Sequence, residues 1–218
     1  MNRFATCLLL ALGLAGPAWA GNDDLDIDKV NGSIHVPDNA TAGKLSTVNG
    51  GIRVGANSHA KSAETVNGGI DLDNGATVDS LETVNGGIRI GEHNKIAHDV
   101  EAVNGSITLR TGADVGGKLS NVNGSIKLEE AHVGGGIETS SGDVTIGAKS
   151  RVEGGLVVNE DHSWFHSSSH KPHITIGPHA TVQGTLQFKR EVELSVSDSA
   201  TVGKIEGATA QKFSGDNP

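Results

Sequence analysis

Four histidines lie close together in one segment of the chain, and their spacing is the first feature that could carry chemistry. His162, His166 and His170 follow one another at four-residue steps, and His173 comes shortly after them. Imidazole nitrogens are common ligands of Zn²⁺, Cu²⁺ and Ni²⁺. Side chains four residues apart share one face of a helix. The first three histidines are therefore candidate metal ligands, provided that the segment is helical.

The segment around these histidines, residues 159–173, also contains an aromatic pair. Trp164 and Phe165 supply apolar contact area, which suits a surface that binds a carbohydrate or another partner. The same two rings could instead pack onto the rest of the protein as part of a plain polar loop. The sequence leaves metal binding, other binding and a plain loop open. The candidate binding residues of the loop are His162, Trp164, Phe165, His166, His170 and His173.

Motifs for catalysis are missing from the sequence. Asp161, His162 and Ser163 are direct neighbours, whereas a catalytic triad assembles such residues from separate parts of a chain. No nucleophile elbow, phosphate-binding loop or dinucleotide fingerprint occurs. We therefore predict a protein that is not an enzyme and that needs no cofactor.

A set of acidic residues recurs at a fixed spacing. Glu64, Glu82 and Glu101 are 18 and 19 residues apart. Carboxylates held at neighbouring positions repel one another unless something neutralises them, and Ca²⁺ prefers carboxylate oxygens. A bound cation, a basic partner, and neutralisation by nearby Lys61 or by solvent are the alternatives.

The spacing of the glutamates is that of a repeat that organises most of the chain. Val-Asn-Gly-Gly/Ser-Ile occurs six times at steps of 18, 18, 18, 19 and 19 residues, and a degenerate copy follows at 140–144. Each copy leads into an apolar–polar–apolar triplet such as Ile52-Arg53-Val54, the period of a strand with one buried face. The asparagines of the six copies are Asn31, Asn49, Asn67, Asn85, Asn104 and Asn123.

Two further apolar sites complete each repeat. A small residue and a valine follow the triplet, as at Ala76 and Val78, and one more apolar residue such as Leu81 precedes the next motif by three residues. The triplets at 144–146, 174–176 and 194–196 continue the period. Abundant Gly and β-branched residues without a helical stripe indicate stacked strands.

These features predict an all-β fold, a single-stranded parallel β-helix of about nine coils of 18–19 residues. The β-helix domain is expected over residues 21–208, with the His-rich loop 159–173 inserted and a flexible tail at 209–218. Stacking in register predicts an Asn ladder of structural role along one edge. It also predicts a column of outward side chains in which Arg53, Asp71 and Arg89 alternate in sign. The members of that column are His35, Arg53, Asp71, Arg89, Thr108, Lys127 and Thr145.

Residues 1–20 have the pattern of a cleaved signal peptide. Arg3 precedes an apolar run from Phe4 to Leu14, and Ala18-Trp19-Ala20 matches an A-x-A cleavage site. The run is shorter than the roughly 20 residues of a membrane-spanning helix. We expect a secreted or periplasmic protein with no transmembrane segment after cleavage.

Charge and cysteine content narrow the range of partners. The chain carries 17 Lys and Arg against 26 Asp and Glu, and removal of Arg3 gives 16 − 26 = −10. This acidic balance argues against nucleic acid as a partner. Cys7 is the single cysteine, so residues 21–218 contain none and must fold without disulfides.

Two families resemble this pattern. Val-Asn-Gly-Gly-Ile at about 18-residue steps, over residues 30–146, resembles the bacterial putative-adhesin β-strand-repeat family. The stretch 174–186, Ile-Thr-Ile-Gly-Pro-His-Ala-Thr-Val-Gln-Gly-Thr-Leu, is similar to bactofilins, the polymer-forming cytoskeletal β-helix proteins, and residues 144–156 have the same pattern. Both resemblances imply a right-handed β-helix, and the second implies end-to-end polymerisation.

Together these features favour an exported structural or surface-interaction protein of the cell envelope, adhesin-like and self-polymerising. End coils of a solenoid expose unpaired strand edges unless they are capped, and no amphipathic capping helix is evident at either end. The expected partners are further copies of the chain, an envelope protein or a polysaccharide. The alternative function is a carbohydrate- or metal-binding module that uses loop 159–173.

Overall fold

The computed structural model of the chain describes residues 25–160 and 171–215, where every regular element is a β-strand. The expected signal peptide, residues 1–20, lies outside the described residues. So do His162, Trp164, Phe165, His166 and His170 of the candidate loop.

The strands all pair in parallel and form two sheets. In chain order they are β1 (Ile27–Asn31), β2 (Ile34–Val36), β3 (Thr41–Asn49), β4 (Ile52–Val54), β5 (His59–Asn67), β6 (Ile70–Leu72), β7 (Thr77–Asn85), β8 (Ile88–Ile90), β9 (Lys95–Ile96), β10 (Val100–Asn104), β11 (Ile107–Leu109), β12 (Asp114–Val115), β13 (Leu119–Asn123), β14 (Ile126–Leu128), β15 (His132–Val133), β16 (Ile137–Thr139), β17 (Val144–Ile146), β18 (Arg151–Val152), β19 (Leu156–Val158), β20 (His173–Ile176), β21 (Thr181–Val182), β22 (Leu186–Phe188), β23 (Glu193–Ser197), β24 (Thr201–Val202), β25 (Ile205–Glu206) and β26 (Ala210–Phe213).

The predicted parallel β-helix is confirmed, with one coil more than expected. One sheet has ten strands in the order β2-β4-β6-β8-β11-β14-β17-β20-β23-β26, one from each coil. Nine intervals of about 4.8 Å make this stack roughly 43 Å long. The prediction of a flexible tail was wrong for residues 210–213, which form β26 and pair with β23. The sequence pattern does not predict this strand, because Lys212 occupies a position that is aliphatic in the other coils.

The second sheet has sixteen strands and divides along its length. In the early coils a single nine-residue strand, β3, β5 or β7, covers two sides of the helix. From β9 onward two shorter strands replace it, and β7 pairs with both β9 and β10. The cause is one extra residue per coil. Val78 and Leu81 are three positions apart, whereas Ile96 and Val100 are four apart, and the added residue makes a separate corner.

The core consists of aliphatic columns that run along the helix axis. The inward residues of each triplet, such as Ile88 and Ile90, are fully buried, as are the two further apolar sites of each repeat, such as Val78 and Leu81. Full burial of one such side chain stabilises a fold by about 1.5–3 kcal/mol. A single coil could not bury these residues alone, so each coil depends on its neighbours for stability.

A threonine that precedes the motif points into this core. Thr47, Thr65 and Thr83 are buried, and each hydroxyl donates to a glycine carbonyl at 2.9–3.1 Å. The acceptor glycine lies in the preceding coil, as for Thr83 Oγ1 and Gly68 O. The hydroxyl thus satisfies a carbonyl at the corner of the helix, where a strand ladder ends. Since strand residues alternate, the motif valine that follows each threonine faces outward.

The first glycine of the motif is required for steric reasons. A Cβ built on Gly86 would overlap the carbonyl group of Gly68 in the preceding coil, and the other stacked copies have the same conflict. In the motif, positive φ occurs at Gly32 (103°) and Gly124 (126°). The glycines at which a Cβ would overlap the preceding coil are Gly50, Gly68, Gly86, Gly105, Gly124 and Gly142.

A different corner, after each triplet, holds a residue with left-handed backbone. Asn57 has φ of 54° and Gly75 of 75°, which explains the Gly- and Asn-rich composition there. The corner keeps this conformation when the residue type changes. The left-handed residues in sequence are Asn39, Asn57, Gly75, His93, Gly112, Glu130, Lys149 and His179.

We expect Gly86→Ala to lower the free energy of unfolding by about 3 kcal/mol or more, because stacked backbone must separate to admit the methyl group. The neighbouring Gly87→Ser is the matched control, since serine stands at this motif position at Ser106 and Ser125. Urea denaturation followed by circular dichroism measures both. Equal stability of the two variants would contradict the steric account.

A buried polar position lies inside the left-handed corner. Ser58 Oγ and Ser150 Oγ accept the backbone N–H of a residue in the preceding coil, at 3.1 and 3.2 Å. Asn94 Oδ1 does the same for Ala76 N at 2.6 Å. Asn94 is fully buried, and within the described residues its Nδ2 has no hydrogen-bond partner. The amide therefore satisfies one group and leaves another unsatisfied.

Replacement of Asn94 separates these two effects. Asn94→Ser keeps an acceptor for Ala76 N–H and removes the buried donor, so we expect a protein at least as stable as the wild type. Asn94→Ala leaves the Ala76 N–H unsatisfied, and it should be less stable than Asn94→Ser by about 1–3 kcal/mol. Thermal unfolding compares the three proteins. If the alanine variant matched the serine variant, the Ala76 bond would have no energetic role.

Candidate functional site

The most regular surface of the molecule is a ridge along the corner between the two sheets in the first six coils. We define the ridge as the six motif valines together with the six motif asparagines. Val30 is 58% exposed and Val103 37% exposed, and the other four valines are half-buried. The valines are Val30, Val48, Val66, Val84, Val103 and Val122. An outward column of branched apolar residues is unusual for a solvated face.

The asparagines of the ridge form an amide ladder. Each Nδ2 donates to the Oδ1 of the asparagine in the preceding coil, at 3.0–3.1 Å, in five successive bonds from Asn123 back to Asn31. All five bonds point the same way, so the amides polarise one another. The asparagines are exposed. An amide has two N–H donors, so each Nδ2 keeps a second N–H that faces solvent or a partner.

An acidic column runs beside the valines on the same outer face. Glu64 pairs in register with Glu82, and Glu82 with Glu101, two residues before the valines of their strands. Burial raises the pKa of Glu101; the nearby Lys118 opposes this shift and Glu82 adds to it. In the described parts of the chain, no three His, Cys, Asp or Glu side chains are arranged to hold a metal ion. The column therefore places carboxylates of three successive coils in register on the outer face.

The outward column of the ten-stranded sheet has the register that the repeat predicts, from His35 to Thr145. Arg89 Nη1 lies 3.0 Å from Asp71 Oδ1, one step of the predicted alternation. Arg53 instead makes a two-pronged bond to Asp73, with Nε and Nη2 each 3.0 Å from a carboxylate oxygen. Both arginines are exposed, so solvent screens these pairs and they contribute little to stability.

Two histidines of the described chain lie between carboxylates of neighbouring coils. His132 Nδ1 contacts Asp114 Oδ1, and its Nε2 is 3.4 Å from Glu153 Oε1. His173 Nε2 is 2.9 Å from Glu193 Oε2, and its Nδ1 is 3.6 Å from Asp143 Oδ1. The sequence did not single out His132, although its place opposite Asp114 follows from the repeat.

The candidate loop begins and ends at the corner that carries the ridge, beyond the last asparagine. Asn159 Nδ2 donates to Glu138 Oε1 at 2.7 Å, and Lys189 Nζ donates to Asn159 Oδ1 at 2.9 Å. His173, predicted as a loop residue, is instead the first residue of β20, with its N–H bonded to Asp143 Oδ1 at 2.8 Å. A strand of the stack therefore extends one residue into the predicted loop.

At both ends of the helix, the terminal residues of the core columns are incompletely buried. Ile27 and Ile205 lie at opposite ends of one aliphatic column, and both are half-buried. Leu25, near the first coil, is 78% exposed. Lys212 stands in register with buried Val196, so a charged residue ends another core column at the C-terminal coil. Inward-facing charges at sheet edges oppose pairing with a further strand.

Comparison with protein-family models, with curated proteins and with solved structures gives no match. Residues 25–160 and 171–215 contain no helix long and apolar enough to span a bilayer.

The pKa shifts on the surface predict opposite effects of two neutralising substitutions. The raised pKa of Glu101 means that its charged form is disfavoured in the folded state, a penalty present at neutral pH and absent below the ordinary value of 4.5. Glu101→Gln should therefore raise the unfolding free energy at pH 7. The gain should vanish at about pH 3.5.

Glu153 is the matched control of opposite sign. Hydrogen bonds from Arg151 and His132 lower its pKa, so its charge stabilises the folded state above 4.5 and the effect is lost as pH falls through the lowered pKa. Glu153→Gln should lower the unfolding free energy at pH 7. Denaturant titrations at both pH values measure the unfolding free energies of the two variants. If both substitutions changed the unfolding free energy at pH 7 in the same direction, the opposite pKa shifts of Glu101 and Glu153 would be wrong.

Proposed function

We propose that the chain is an exported structural or surface-interaction protein of the cell envelope, which associates with further copies of itself through the ends of its β-helix. Export is supported by the signal-peptide pattern of residues 1–20.

The observation that carries the proposal is the incomplete burial of the core at both ends. Ile27 and Ile205 would stack in one column if the C-terminal coil of one copy met the N-terminal coil of the next. Ala210 would meet Ile34 in the same way. Parallel strands of successive copies would then pair by the backbone bonds that join the coils within one copy. The product would be a rod with the cross-section of a single chain.

Lys212 sets a limit on this association. If two copies joined end to end, the Lys212 ammonium group would lie in the aliphatic column that contains Val196. The first coil of the next copy would cover it. Removal of a charge from water without a partner costs several kcal/mol. The lysine therefore weakens end-to-end contact and keeps growth dependent on concentration or on a partner that binds the ammonium group.

We expect Lys212→Val to promote end-to-end association, because it completes the aliphatic column. The concentration needed for filaments should fall about tenfold or more, the equivalent of at least 1.4 kcal/mol. Gln211→Val is the matched control, since it adds the same side chain at the outward position next to it. Negative-stain microscopy and sedimentation velocity over a concentration series measure the effect.

Two outcomes would contradict the proposal. If the Lys212→Val protein remained a discrete short rod at the highest concentration, the ends would not be association surfaces. If the full chain expressed in a bacterium kept residues 1–20 and stayed in the cytoplasm, the envelope role would be wrong. Mass spectrometry of the N-terminus after cell fractionation answers the second question.

A further inference from the structure

We infer that the outer face formed by the ridge and the acidic column binds the same face of a second copy, side by side and with the two helices parallel. This lateral surface goes beyond the end-to-end association proposed above and does not depend on it. Three observations carry the inference: the outward-facing valine column, the spacing of the coils, and the order of the charged and polar columns across the face.

The valine column is an apolar stripe on a parallel sheet whose outer face is open. Parallel sheets are normally covered on both faces, because their strands are apolar on both. Here the inner face holds the core, while six valines face outward in register over six coils. Val30 and Val103 are more than a third exposed. A cover for this stripe would remove apolar area from water.

The spacing of the stripe identifies the occupant. Successive valines lie one coil apart, about 4.8 Å, and a partner must repeat its contacts at that distance to stay in register over the whole stripe. A second copy has this repeat, because its coils have the same spacing. Paired sheets of identical stacked residues interdigitate in the same way in dry interfaces, and amide ladders support them.

The charge layout selects the relative direction of the two copies. Across the face, the order of columns is glutamate, valine, asparagine. A two-fold axis along the valine column makes the helices parallel and brings the glutamates of one copy opposite the asparagines of the other. A two-fold axis across the column makes the helices antiparallel and brings glutamates opposite glutamates, which is repulsive.

The parallel arrangement also satisfies the amide donors. Each of the five donor asparagines has a second Nδ2–H beyond the one used within the ladder. The carboxylates of Glu64 and Glu101 are acceptors of suitable charge for those donors. A neutral donor close to Glu101 would also favour its charged form, which burial alone disfavours.

The contact is small, so we expect weak association of single copies. Five coil intervals give a stripe about 24 Å long. A face three columns wide then buries a few hundred Å² per copy, well below the roughly 800 Å² of a standard interface. Several ridges in one line would strengthen the contact by avidity.

The test compares two double variants of equal charge by sedimentation equilibrium up to about millimolar concentration. Val66→Lys with Val103→Lys places two ammonium groups on the stripe, and we expect the dissociation constant to rise about tenfold or more. Thr175→Lys with Thr201→Lys places them on outward columns away from the stripe, where the register neighbours are threonine or serine. These control changes should leave association unaltered.

Single cysteines determine the orientation, in a chain whose only native cysteine, Cys7, is replaced by serine. Val48→Cys, Val66→Cys and Val103→Cys should each form an intermolecular disulfide on mild oxidation, because in a parallel pair each position meets itself. An antiparallel pair would allow this at no more than one central position. This readout does not require that the lysine variants fold.

The outcomes separate this surface from the ends. The inference is overturned if the wild-type protein stays monomeric at millimolar concentration and the cysteine variants form no intermolecular disulfide. It is also overturned by association that the stripe lysines leave intact but Ile205→Lys abolishes, because that result assigns all contact to the ends. If the stripe lysines abolish binding to an envelope polysaccharide while no self-association is seen, the face serves another partner and the inference is wrong.

Discussion

The distance between neighbouring parallel strands governs the rest of the molecule. Each coil lies about 4.8 Å from the next, so every residue stands directly over its counterpart. This explains why Gly86 cannot carry a side chain above the Gly68 carbonyl, and why aliphatic residues recur at the inward positions. It also explains the amide ladder, since an asparagine placed over an asparagine finds both a donor and an acceptor at hydrogen-bond distance.

The same stacking is unfavourable for identical charges, and the outer columns show how the chain accommodates this. On the side formed by β9, β12, β15 and β18, Lys95, Asp114, His132 and Arg151 follow one another in register. Asp114 thus lies between Lys95 and His132, and Glu153 contacts both His132 and Arg151. The acidic column beside the valines is an exception to this arrangement. An exception within so regular a stack is the kind of local conflict that a binding surface produces.

The fold could be predicted from the sequence because its defining signal is a period. Inward positions such as Ile52 and Leu81 repeat at a fixed spacing, and one pairing register buries all of them. The division of the second sheet was less visible, although the change of step from 18 to 19 residues marks it. The last coil was missed because Lys212 interrupts the apolar pattern. The outward direction of the motif valines was not predicted either, since a valine that recurs at one position of a strand is usually interpreted as core.

The corner that carries the ridge is regular in the first six coils and irregular in the later ones, and this change has a physical reason. An amide ladder requires that successive corners have the same length, because a longer corner moves its side chain out of line with the one before it. After Asn123 the corner contains Ser141 in place of asparagine, and in later coils it lengthens to 159–172 and 189–192. A ladder and an insertion therefore exclude each other at this corner.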